Sequence, residues 1–178
     1  MTPAIRVAES AGVAIGIHEY LHDPSVTDFG REASEALGVA AYRVFKTLVV
    51  EVESQPNPIF VLAVIQVLKT LDLKAVASAS GRKYAKMAHS TKAERVTGYV
   101  RGGISPLGTR KRLVTFLDDA VFELDEIYCS GGKRGLDISI RWKDLVELTD
   151  AKVLSLSLIH ISEPTRQEAI SYAVFCLK

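Results

Sequence analysis

The sequence predicts an α/β protein built on a mixed β-sheet, partly curled towards a barrel, with helices packed around it. Three observations carry this. Strand and helix signals are interspersed along the chain without a strict βαβ rhythm, which excludes a purely parallel sheet. Residues 42–52 and 59–67 are runs rich in Val, Ile, Leu and Phe with no breaker inside, as buried strands are. Leu136, Ile138, Ile140 and Trp142 alternate with polar residues, the period of a strand with one buried face.

The elements follow in order. Thr2 as N-cap and Pro3 at the first helical position open a helix that ends near Gly12. Val13, Ile15 and Ile17 alternate with smaller or polar residues, a strand that reaches Tyr20. After a polar loop, residues 31–37 form a short helix stopped by Gly38. The two apolar strands come next, separated by a turn at Pro56 and Pro58. Asp72 caps a helix running to about Ser80, and Thr91 with Glu94 makes a capping-box pattern for a helix ending at Gly98. Residues 114–117 and 121–129 read as strands, and residues 144–148 as a last short helix.

Composition excludes several classes. The chain has 178 residues, enough for one domain with a core, and no apolar run approaches the roughly 20 residues of a membrane span. Its N-terminus lacks the apolar stretch of a signal peptide. Two cysteines, Cys129 and Cys176, make no disulfide framework, so a reducing cytoplasm is expected. The four histidines have no metal-ligand spacing, and no metal or cofactor is expected. The net charge of +1 conceals an asymmetry: residues 82–112 hold nine Lys or Arg and one acid, whereas residues 113–126 hold five acids and no base. Such a basic block is either a solvated surface or a face that meets phosphates. Arg110, Lys111 and Arg112 are its densest part.

Lys46 is the most informative single residue. It stands in an apolar strand, where lysine is expensive to bury without a partner. It either snorkels at the end of the sheet or faces a ligand cavity. Two glycine-rich segments follow: Gly102-Gly103-Ile104-Ser105-Pro106-Leu107-Gly108, and Ser130-Gly131-Gly132-Lys133-Arg134-Gly135 between two strands. Glycines let backbone N–H groups approach a ligand, although neither segment has the spacing of a phosphate or dinucleotide loop. Asp137, after the second segment, is either an exposed acid or a partner for a lysine or a substrate amine. Tyr20 offers a hydroxyl or half-buried packing. Cys129 has no histidine close in sequence and reads as a packed thiol. No serine, cysteine or zinc hydrolase motif is present, so an enzyme of this sequence has no obvious protein nucleophile.

The segments TPAIRVAESAGV, VFKTLVV, TGYVRGGISPLG and SGGKRGLDI, in that order, resemble the YbaK family of Cys-tRNA(Pro) deacylases, relatives of the editing domain of bacterial prolyl-tRNA synthetases. The resemblance spans residues 2 to about 153. It implies a mixed α/β fold with a curled sheet and a pocket for the aminoacyl-adenosine end of tRNA. It puts the family's lysine at Lys46, beside Phe45 and Thr47, and the glycine-to-proline loop at 102–106, that is Gly102, Gly103, Ile104, Ser105 and Pro106. The remaining pocket residues fall on Tyr20, Phe29, Ser130 and Asp137. The implied activity is removal of cysteine from mischarged Cys-tRNA(Pro), in which the substrate's own thiol attacks its ester. Alternatives are a deacylase for Ala-tRNA or another small aminoacyl-tRNA, and a tRNA-binding module without activity. The implied partner is tRNA(Pro), with prolyl-tRNA synthetase as an open question.

From about Leu154 the chain changes character. LSLIHISEPTR and ISYAVFCL resemble the translation of a sequencing-library adapter, so the domain is expected to cover residues 1–153, with 154–178 outside it.

Overall fold

The computed structural model describes residues 1–158. Its strands form two sheets rather than one, and neither closes. The smaller sheet has the order β1 (Gly16–Glu19), β7 (Leu136–Arg141), β6 (Glu126–Lys133), antiparallel throughout. The larger has the order β4 (Ala85–Met87), β2 (Phe45–Val52), β3 (Ile59–Gln66), β5 (Val114–Asp118), β8 (Lys152–Leu154). Here β4, β2 and β3 are antiparallel neighbours, while β5 runs parallel to β3 and β8 parallel to β5, so this sheet is mixed. A parallel bridge between Val44 and Tyr128 ties the two sheets together.

Among the described residues, five α-helices pack around the sheets. In α1 (Pro3–Ser10) the Thr2 hydroxyl accepts from the Ile5 N–H, the expected cap. Helix α2 (Phe29–Leu37) is capped by the Asp28 carboxylate and ends at Gly38 in the left-handed region. Helix α3 (Leu73–Ala79) is capped by Asp72 as expected. In α4 (Ser90–Thr97) the cap is His89, whose Nδ1 accepts from Thr91 N–H, and not Thr91. The Glu94 carboxylate reaches forward to Arg101 N–H instead of back to the cap.

One core, between the sheets, joins Phe45, Val64 and Leu117 of the larger sheet to Ile127, Cys129, Leu136, Ile138 and Ile140 of the smaller, with α1 laid against them. A second, around Val50, Val61, Ile65, Val76, Phe116 and Leu156, lies under α3. Because both its faces are covered, β7 is buried over Leu136–Ile140, polar Asp137 and Ser139 included, where the alternation promised one buried face.

Four further boundaries differ from expectation. Residues 41–43 form a 3-10 turn, so β2 begins at Phe45. The strand expected over 121–129 is split: Asp119–Glu123 is a 3-10 helix, capped by Asp118 at Ala120 N–H, and β6 begins at Glu126. The second glycine segment is mostly strand, since β6 runs through Lys133 with a register shift between Ser130 and Lys133. Trp142 leaves the strand and starts α5 (Trp142–Thr149), its indole N–H donating to Leu124 C=O.

The domain also extends past the expected boundary at 153. Leu154 pairs in β8, Leu156 is fully buried, and Ser157 forms a bridge with Leu71. The buried Asp118 carboxylate accepts from the N–H groups of Leu156 and Ser157 and so holds this segment in place. The rest of the adapter-like tail, residues 159–178, lies outside the described residues.

Candidate active site

A cavity of about 610 Å³ opens where the larger sheet leaves an edge uncovered. Strand β2 pairs with β3 along its whole length, but β4 covers only Val50–Val52. On the β4 side, Glu53 N–H donates to Tyr84 C=O and Val49 C=O accepts from Ala88 N–H. By the alternation of an antiparallel ladder, the backbone groups of Thr47 therefore face the open edge between β4 and the Val44–Tyr128 bridge. Helix α2 closes one side, α4 another, and the ends of the β6–β7 hairpin and the loop around Gly102 a third.

Nine of the expected site residues line this cavity: Tyr20, Phe29, Phe45, Lys46, Thr47, Gly102, Ile104, Ser130 and Asp137. Lys46 lines the cavity. Its side chain is half-buried, and among the described residues no carboxylate lies within ion-pair distance. Loss of water lowers its pKa, and the negative charge of Asp28 opposes that. Thr47 Oγ1 is buried without a hydrogen-bond partner among the described residues, a polar atom that a ligand can satisfy.

Asp137 is not the exposed acid of the simpler expectation. Burial pushes its carboxyl up to about 7. The Tyr20 phenol is raised well above its ordinary range, first by burial and then by the charges of Asp137 and Glu32, so it is a proton donor at neutral pH. Tyr20 is set by a backbone bond from its N–H to Gly135 C=O. The Ser130 hydroxyl accepts from Gly132 N–H.

Gly102 is the third residue of a turn closed by Gly103 N–H donating to Val100 C=O. Its φ of +85° is one that glycine alone takes freely. The Gly102 N–H itself has no acceptor among the described residues. Gly103, Ser105 and Pro106 do not line the cavity. They are buried behind the turn, where Gly103 meets the Lys133 backbone and Ser105 Oγ accepts from Leu107 N–H.

The basic triplet stands elsewhere. Arg110 and Arg112 border a second cavity of about 340 Å³, with Pro106 and Thr109. Arg110 donates to Arg95 C=O, Arg112 pairs with Asp150 at 3.3 Å, and Lys111 is exposed. Sequence reasoning missed the wall made by Met87, Ala88, Ser90, Ala93 and Glu94, together with Arg101. Only the basic block marked that region, and it did not single out these residues.

Cys129 is adjacent to Ser130 but points the other way, into the core between the sheets, and burial raises its thiol far above the ordinary value. Among the described residues no group of three His, Cys, Asp or Glu could hold a metal ion, and no helix is long and apolar enough to cross a membrane.

Residues 23–148 match the model of the aminoacyl-tRNA editing domain. The chain belongs to that family. It is 35% identical over 156 residues to EbsC of Enterococcus faecalis, named as a candidate Cys-tRNA(Pro)/Cys-tRNA(Cys) deacylase, covering 88% of this chain and 93% of the relative. The fold is shared with the hypothetical protein APE2540, at TM-score 0.75 and 24% identity, over 88% of this chain and 99% of that one. It is shared too with a candidate trans-editing enzyme for prolyl-tRNA synthetase, at TM-score 0.70 and 22% identity, over 89% and 99%.

Proposed function

We propose that the chain is a trans-editing aminoacyl-tRNA deacylase that removes cysteine from mischarged Cys-tRNA(Pro). The observation that carries this reading is the cavity itself. It is lined by Lys46, which has no ion pair among the described residues, by Gly102, whose N–H has no acceptor among them, and by the buried Asp137 carboxyl, and it excludes the chain's described thiol. Family membership and the name of the Enterococcus relative support the substrate class.

In this mechanism the terminal aminoacyl-adenosine enters the cavity, and Lys46 holds the phosphate or ribose of its 3′ end. Asp137 accepts from the substrate ammonium, and the Gly102 N–H donates to the carbonyl oxygen as it gains negative charge. The substrate thiol attacks its own ester carbonyl. The carbon–sulfur bond forms, the bond to the ribose oxygen breaks, and the thiol proton ends on that oxygen, which leaves a thiolactone and free tRNA. The enzyme supplies orientation and charge stabilisation in place of a nucleophile. Arg110, Lys111 and Arg112 lie outside the cavity and suit contacts with the acceptor-stem backbone, which need no base recognition.

The test is deacylation of Cys-tRNA(Pro), Cys-tRNA(Cys) and Ala-tRNA(Pro) side by side. Faster release from Cys-tRNA(Pro) than from Ala-tRNA(Pro) is expected. A preference for Ala-tRNA(Pro) overturns the cysteine assignment, and no release from any of the three overturns the enzyme.

A further inference from the structure

We propose that Arg134 is a positioning residue that holds the Gly102 N–H towards the cavity, an inference that rests on the deacylase reading above. The argument begins with one peptide plane. In the turn from Val100 to Gly103, the Arg101 C=O and the Gly102 N–H belong to the same peptide unit and point in opposite directions. Arg134 Nε donates to the Arg101 C=O at 2.7 Å, on the side away from the N–H. Fixing the carbonyl fixes the amide. The alternative turn with this peptide flipped would carry the N–H away and leave the guanidinium without its acceptor.

The rest of the neighbourhood is arranged around the same contact. The Arg134 guanidinium carbon lies 5.2 Å from the centroid of the Phe29 ring, a stacking distance for a cation on an aromatic face. Phe29 in turn lies against Gly102, so one side chain braces both the turn and the wall beside it. The hairpin tip that carries Arg134 is itself pinned. Gly103 packs on the Lys133 backbone with no room for a Cβ, and Gly135 C=O accepts from Tyr20 N–H. A charged donor on the carbonyl also polarises the amide and strengthens its N–H as a donor. Arg134 does not line the cavity, so it acts through Gly102 and Phe29.

Arg134 is exposed, so Arg134→Ala folds. Two readouts test it together: single-turnover deacylation of Cys-tRNA(Pro), and the ¹H–¹⁵N resonance of the Gly102 amide in the uniformly labelled protein. Removal of an oxyanion donor outright costs about 10²–10³ in rate. A misdirected donor is expected to cost about tenfold to hundredfold in kcat, with KM changed little. The Gly102 resonance should shift, and added ethylguanidinium should restore part of the rate and of the shift. Wild-type kcat in Arg134→Ala, or a Gly102 resonance that does not move, overturns the proposal and leaves the deacylase reading standing. If the wild-type protein releases no amino acid, that reading falls, and the Gly102 resonance still decides whether Arg134 holds the peptide.

Discussion

Gly102 lies against the ring of Phe29, so closely that a Cβ on Gly102 would stand 2.7 Å from Phe29 Cε1. The contact and the positive φ act together. Gly102→Ala is expected to cost about 1–2 kcal/mol of stability from the left-handed backbone. Relief of the clash displaces either the ring or the turn, so deacylation should fall by tenfold or more. Thermal melts and single-turnover rates check both. Wild-type rates from Gly102→Ala would move the proposed carbonyl site elsewhere.

Lys46 makes no ion pair among the described residues, so removing it leaves no buried charge orphaned. Lys46→Ala should keep the melting temperature within a few degrees and lower kcat/KM by at least about a hundredfold, which corresponds to about 2.7 kcal/mol of transition-state binding. A folded variant with an unaltered rate would remove Lys46 from the site.

Asp137 carries a pH dependence whose sign is fixed by its raised pKa of about 7. The folded state holds the proton more tightly than the unfolded chain, so the contribution to stability is complete below about pH 4. It is lost as pH rises through about 7, at up to about 1.4 kcal/mol per unit. Asp137→Asn should flatten that limb of the stability profile. In catalysis the direction is opposite: the carboxylate is the form that receives the substrate ammonium, so kcat/KM should decline as pH falls through about 7. In Asp137→Asn kcat/KM should be low and lack that inflection. Chemical denaturation and kcat/KM measured across pH 5–9 check the two limbs.

The C-terminal boundary is tested by truncation. Ending the chain after Val153 removes Leu156 from the core and strips Asp118 Oδ1 of the Leu156 and Ser157 N–H donors, leaving only Ala120 N–H on Oδ2. Burial of a leucine is worth about 1.5–3 kcal/mol and an unsatisfied buried acceptor about 1–3 more, so a loss on the order of 3–5 kcal/mol is expected in denaturant titration. Ending it after Leu158 keeps every one of these contacts.

Much of the fold was legible where one residue decides local geometry: Thr2, Asp72 and Gly38 cap their helices as their chemistry requires. Lys46 stood out because a lone cation in an apolar strand needs a reason. What sequence could not supply was pairing. That β4 covers β2 only from Val50 onward, so that the edge at Thr47 stays open, depends on contacts between segments distant along the chain. The apolar content of residues 121–129 concealed the 3-10 turn, because Asp118 caps it with a side chain that also binds Leu156 across the fold. The burial of Leu156 was not legible because it rests on contacts distant along the chain, with Asp118, Phe116 and Val76.

The most direct measurement compares Cys-tRNA(Pro) with Ser-tRNA(Pro), using both the wild-type protein and Cys129→Ser. The two substrates differ in a single atom, the nucleophile of the proposed reaction. The account predicts that Cys-tRNA(Pro) is deacylated far faster than Ser-tRNA(Pro), and that Cys129→Ser retains this activity. Equal rates on the two substrates, or loss of activity in a folded Cys129→Ser protein, would contradict it.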